Sequence, residues 1–148
     1  FLGDLNFRSK FENDKTHEEN VATAKEIIAS GDLATLYALD ELQQGLQKDF
    51  LVGFKTLPCP FQPTFKVERQ PGFVYKGQRT PSWTDRILFH SSSGLDESLR
   101  QLSYEACSDF ITSDHKPIRG AFSVISNEDL ETVHVDGEMT LDFHKMRC

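Results

Sequence analysis

Acids, an amide and an imidazole stand at three separated points of this chain, each beside an apolar run. Asp4 and Asn6 leave the opening segment Phe1-Leu-Gly-Asp-Leu-Asn-Phe-Arg8, Asp85 precedes Ile87, Leu88 and Phe89, and Asp114 and His115 precede an alternating run from Pro117. Such groups at loop–strand junctions can take a proton from water, orient that water and hydrogen-bond a phosphoryl oxygen. That is the set needed for metal-assisted hydrolysis of a phosphate ester. Trp83, the only tryptophan, lies two residues before Asp85. A buried aromatic there fixes the rotamer of the acid and thins the water around it, which suits a carboxylate that must orient a histidine. A core tryptophan beside a surface Asp85–Arg86 ion pair has the same signature, and at this point both readings stand.

The elements that must position these groups are legible from periodicity. Residues 1–5 read as the end of a core strand and 6–14 as a polar loop. Thr16-His-Glu-Glu19 has the pattern of a capping box. Val21, Ala24 and Ile28 follow at helical spacing, and Gly31 closes the helix. A second helical stretch spans about 32–48, with Leu39, Leu42 and Leu46 as its buried stripe and a break near Asp40. Nothing on these helices converges chemically, so they are read as packing elements. Pro58-Cys59-Pro60 forbids regular structure, and residues 62–78 form a loop or irregular hairpin. Strands are expected at about 86–90, 100–107 and 117–125. Leu102, Tyr104 and Ala106 would share one face of the second, and Ile118, Gly120, Phe122 and Val124 one face of the third.

Composition bounds the function. A chain of 148 residues with 26% charged and 38% hydrophobic residues is long enough for one core and is ordinary for a globular domain. A net charge of −7 disfavours a nucleic-acid partner held by bulk electrostatics. Lys66, Arg69, Lys76, Arg79 and Arg86 are nevertheless gathered in one short span, a local basic site suited to a compact polyanion. Cys59, Cys107 and Cys148 lack metal-type spacing and read as free thiols in a reducing compartment. No apolar run approaches the roughly 20 residues of a membrane span, and no signal peptide is visible, so an intracellular protein is expected. His134, His144, His17 and His90 lack ligand spacing and read as solvated, whereas Lys116 fits either a phosphate contact or a solvated strand start.

Three stretches carry a resemblance to a family. Gly3-Asp4-Leu5-Asn6-Phe7-Arg8, Pro81-Ser82-Trp83-Thr84-Asp85-Arg86-Ile87-Leu88 and Ser113-Asp114-His115-Lys116-Pro117 resemble, in order, motifs of the inositol polyphosphate 5-phosphatases. Gly-Asp-x-Asn and Ser-Asp-His are shared across the endonuclease/exonuclease/phosphatase superfamily, whereas Pro-Ser-Trp-Thr-Asp-Arg is specific to the 5-phosphatases. The resemblance covers about residues 1–125 and only the second half of that family's catalytic domain. It implies an α/β fold, part of a four-layer α/β sandwich of the DNase I type with mixed sheets flanked by helices. Residues 1–126 would then form the C-terminal half of the catalytic domain. Residues 127–148 would be an acidic linker leading into a following domain, or a docked extension of the same one.

The resemblance also implies roles. Asp4 would accept the proton of the attacking water, Asn6 would orient water or phosphate, and His115, held by Asp85, would hydrogen-bond a phosphoryl oxygen. Asp114 would lie near Mg²⁺, whose principal glutamate ligand the family carries before the first motif. The chain begins at Phe1 inside an expected strand, so a piece of a larger protein is expected. Lys66, in Pro63-Thr64-Phe65-Lys66, and Arg79 would read a 4-phosphate on the substrate ring, with Lys76 and Arg86 as neighbours. Gly77 stands where the family has a further lysine, which weakens or rebuilds that subsite. The substrate would be a phosphoinositide lipid or a soluble inositol polyphosphate, with a cytoplasmic location and peripheral membrane contact. A related nuclease of the superfamily and a non-catalytic phosphoinositide- or protein-binding module are the alternatives.

Overall fold

A computed structural model describes residues 1–11, 15–48, 50–92, 95 and 98–125. The proposed linker and following segment, with His134, His144 and Cys148, lie outside the described residues. Seven elements occur in the order β1 (Leu2–Asp4), α1 (His17–Ser30), α2 (Leu33–Ala38), α3 (Glu41–Leu46), β2 (Asp85–Ile87), β3 (Leu99–Ala106) and β4 (Ile118–Val124). Among the described residues these strands form two antiparallel pairs, β1 with β2 and β3 with β4. No helix among them is long and apolar enough to cross a membrane.

Local chemistry sets the helix ends. The Thr16 hydroxyl accepts from the Glu19 amide, and the Glu19 carboxylate accepts from the Thr16 amide at 2.7 Å, so the capping box is complete. At the far end Gly31 adopts a left-handed φ of 81° and donates to the Ile28 carbonyl. The break expected near Asp40 is an N-cap: its carboxylate accepts from Gln43 N at 3.0 Å and starts α3.

Val21, Ala24, Ile28, Leu36 and Leu42 are buried on the helices, and Trp83 lies at the centre of the core. The Trp83 indole N–H donates to the Phe61 carbonyl at 2.8 Å, and the Tyr37 ring meets it edge-on with centroids 5.5 Å apart. A buried aromatic with its polar edge satisfied adds large apolar area without an orphan donor. Of the thiols, Cys59 and Cys107 are free. Burial pushes the Cys59 thiol up to about 12, which keeps it protonated and unreactive.

Three expectations are corrected. Leu102 does not share a face with Tyr104, because the register shifts between Gln101 and Ser103. That bulge turns Gln101 and Tyr104 inward and leaves Leu102 60% exposed. Lys116 is neither solvated nor free to reach a ligand. Its side chain is fully buried, and its ammonium donates to the carbonyls of Gln70 and Phe110 at 2.7 Å each, tying two loops together. Arg86 is not a substrate-binding residue. It is 0% exposed, and its Nη1 lies 2.7 Å from the equally buried Asp40 carboxylate. The reason is strand alternation: successive side chains of β2 point to opposite faces, so Asp85 toward the loops sends Arg86 into the core. Helices α2 and α3 therefore do more than pack, since Asp40 between them neutralises a charge on β2.

Candidate active site

β1 and β2 lie side by side with Asp4 directly opposite Asp85. Beyond Asp4 the chain turns out of the strand at Asn6, whose φ of 60° is left-handed, a region that asparagine tolerates better than most residues. The amide of Asn6 donates to Asp4 Oδ1 at 3.0 Å, and the amides of Leu5 and Asn6 both donate to the Thr84 carbonyl. The two motifs are thus stitched together by backbone bonds, and the Asp4 carboxylate is pinned at the strand end.

His115 arrives from the loop before β4. Phe65 forms single bridges with both Ser82 and His115, so the Pro63–Lys66 segment runs between the other two motifs. The imidazole Nδ1 lies 3.0 Å from Asp85 Oδ2. That oxygen also accepts from the Thr64 hydroxyl at 2.6 Å and the Thr84 hydroxyl at 2.9 Å. Three donors converging on one carboxylate oxygen lock its rotamer. With Nδ1 committed to Asp85, the ring's Nε2 is the nitrogen left for a reacting group. The Phe65 ring lies against the imidazole, centroids 4.4 Å apart, and fixes its plane.

The structure brings Asp4, Asn6, Asp85 and His115 together. Lys66 stands beside them, its ammonium 3.0 Å from Gln78 Oε1 and 3.8 Å from the Asp114 carboxylate. Lys76 is half-buried and 3.7 Å from Glu68, across the hairpin that Val67 and Tyr75 close. Arg79 is exposed and lines a cleft. Residues that the sequence did not single out complete the site. Thr64 and Thr84 hold Asp85, Phe65 orients the imidazole, and the Arg8 guanidinium lies 4.6 Å from the centroid of the Phe65 ring. The hydroxyls flanking Asp85 in the motifs were the available signal for the threonines. For Arg8 the signal was its place at the end of the first motif, Gly3-Asp4-Leu5-Asn6-Phe7-Arg8.

Among the described residues no group of three or more His, Cys, Asp or Glu side chains could hold a metal ion. Asp114, the expected ligand, faces Lys66. The donors present therefore do not by themselves fit Mg²⁺, which prefers near-octahedral oxygen ligation.

Residues 1–121 match the family model described as Endonuclease/Exonuclease/phosphatase family 2. The chain belongs to this family. It is 32% identical over 136 residues to the mouse type II inositol 1,4,5-trisphosphate 5-phosphatase, a stretch of 88% of this chain and 12% of that protein. It is 30% identical over 124 residues to nitrophorin Cim l NP of Cimex lectularius, covering 84% of this chain and 37% of that protein. Among solved structures, the 5-phosphatase domain of a synaptojanin bound to inositol (1,4)-bisphosphate and a calcium ion superposes with a TM-score of 0.61 at 30% identity. That match covers 83% of this chain and 34% of the other. The fold class and the 5-phosphatase resemblance read from the motifs are borne out. The chain spans between about an eighth and two fifths of these relatives.

Proposed function

We infer that this chain forms the second half of the catalytic domain of a phosphatase that removes the 5-phosphate from phosphoinositides or soluble inositol polyphosphates. The observation that carries the reading is the Asp85–His115 pair, 3.0 Å apart inside the Pro-Ser-Trp-Thr-Asp-Arg and Ser-Asp-His motifs. Its chemistry suits a phosphoryl group: a histidine held in one orientation presents Nε2 to a phosphoryl oxygen, and Asp85 supports the charge that builds on the ring. Asp4, held at the strand end, accepts the proton of the attacking water, and the Asn6 amide orients that water or the phosphate. The cofactor we propose is Mg²⁺, with Asp114 close to it and its main carboxylate contributed by residues outside this chain. A cytoplasmic location, with peripheral contact at membranes where the lipid substrate resides, belongs to the same proposal.

The test is phosphate release from inositol 1,4,5-trisphosphate with excess Mg²⁺, comparing this chain alone with the chain joined to its upstream segment. Activity is expected only in the joined form, because the metal donors here are too few. Inactivity of both forms overturns the phosphatase reading, and nicking of DNA by the joined form would favour the nuclease alternative. Robust turnover by the chain alone would move the metal site onto the residues described above. In the active form, Lys66→Ala is expected to raise KM by about tenfold for substrates with a 4-phosphate and to flatten the preference for them. An unchanged preference moves recognition away from Lys66.

A further inference from the structure

The side chain of Asn6 is exposed at the site, and its carboxamide could turn either end toward a ligand. Arg8 decides which. The Asn6 side-chain oxygen accepts from Arg8 Nη2. A guanidinium carries donors only, so it holds the oxygen end of a carboxamide and never the nitrogen end. Nδ2 is then the end left for a ligand, and it can only donate. A donor aimed at the attacking water would occupy the lone pair that must attack phosphorus. A donor aimed at a phosphoryl oxygen meets charge that builds during the reaction.

Arg8 is built to stay in place. Its backbone amide donates to Glu41 Oε2 at 2.8 Å, and its carbonyl accepts from the Glu41 amide at 2.9 Å, so the residue is clamped from both sides by the start of α3. The next residue, Ser9, is buried and donates its amide to Ser82 Oγ at 3.1 Å. The guanidinium carbon lies 4.6 Å from the centroid of the Phe65 ring, a cation–π distance, and that ring also packs against the His115 imidazole. Arg8 Nη1 is buried without a hydrogen-bond partner. That orphan donor is a cost to stability, which a purely structural arginine has no reason to carry. Among the described residues no carboxylate pairs with the guanidinium; the Glu41 side chain takes the Lys10 ammonium instead, at 2.9 Å. An unneutralised cation on Oδ1 polarises the carboxamide and makes Nδ2 a stronger donor.

We propose that Arg8 is a positioning residue that acts through Asn6: it fixes the carboxamide with Nδ2 outward, as a donor to the scissile phosphoryl group rather than a guide for water. Orientation of the water then falls to Asp4. The role in turnover rests on the phosphatase reading, but the orientation of Asn6 can be tested without turnover.

Nitrogen-15 relaxation of Asn6 Nδ2 is measured in the full chain, and kcat and KM for inositol 1,4,5-trisphosphate in the joined form. Nδ2 is expected to be as rigid as the backbone in the wild type and in Arg8→Lys, whose ammonium still donates to Oδ1, and mobile in Arg8→Met. Arg8→Met should lower kcat by about tenfold to a hundredfold with KM little changed, and Arg8→Lys should recover most of the loss. In an Asn6→Ala background Arg8→Met should cost nothing further, because the two residues act as a unit. An Nδ2 as mobile as a free side chain in the wild type overturns the proposal, and because no variant is involved misfolding cannot decide the matter. A loss from Arg8→Met that is equal in both backgrounds also overturns it, as does a raised KM at unchanged kcat, which would make Arg8 a direct substrate ligand. Rigidity of Nδ2 that depends on Arg8 in a joined form that releases no phosphate overturns the phosphatase reading and leaves the positioning of Asn6 standing. Phosphate release with Nδ2 indifferent to Arg8 does the reverse.

Discussion

Asp85→Asn in the active, joined form is expected to lower turnover by about a hundredfold to ten-thousandfold while leaving the fold in place. Asparagine is nearly isosteric, so the loss comes from charge and hydrogen-bond polarity. Asp85 Oδ2 accepts from Thr64, Thr84 and His115. An amide oxygen at the Oδ2 position still meets all three donors but carries no charge to support the imidazolium, and the NH₂ then stands at the Oδ1 position, 3.3 Å from Nδ1, where it favours the wrong tautomer. The comparable replacement in a serine protease triad costs about ten-thousandfold through that tautomer effect. The measurement is kcat for phosphate release, accompanied by circular dichroism. Wild-type kcat in this variant would reduce Asp85 to a structural role.

The second large effect concerns stability. Asp40→Ala is expected to destabilise the chain by about 3–5 kcal/mol, the usual cost of leaving a buried charge unpaired. Arg86 is fully enclosed, and its remaining side-chain hydrogen bond among the described residues is from Nη2 to the Tyr37 hydroxyl at 3.2 Å. Asp40 also caps α3, and loss of a cap alone costs about 1 kcal/mol. Asp40→Asn separates the contributions, since it keeps an oxygen for the Gln43 amide and removes the charge. Urea unfolding should therefore rank wild type above Asp40→Asn and Asp40→Ala lowest. Equal midpoints for wild type and Asp40→Ala would show that Arg86 finds another partner.

What the sequence disclosed was mostly local. Thr16, Gly31 and Asp40 punctuate the helices through bonds spanning three or four residues, so their types at those positions were sufficient. The motifs brought Asp4, Asn6, Asp85 and His115 to one site because their side chains are chemically specific and sit at junctions. Arg86 was misread because its partner lies 46 positions upstream, and a basic residue in a basic span gives no sign of which way it faces. Leu102 was misread because alternation fails wherever a strand carries an extra residue. The cleft lined by Arg8, His17 and Arg79 was not legible for the opposite reason: it exists only once α1 and residues 79–82 meet.

The enclosure of Trp83 gives the chain a built-in optical gauge. As the sole indole, shielded from water and hydrogen-bonded to Phe61, it should emit at the blue end of the tryptophan range and shift to the red only when the core opens. It stands two residues from Asp85 in sequence and against Tyr37, which also contacts Arg86. Its emission therefore separates a variant that has lost chemistry from one that has lost its interior, with no label attached.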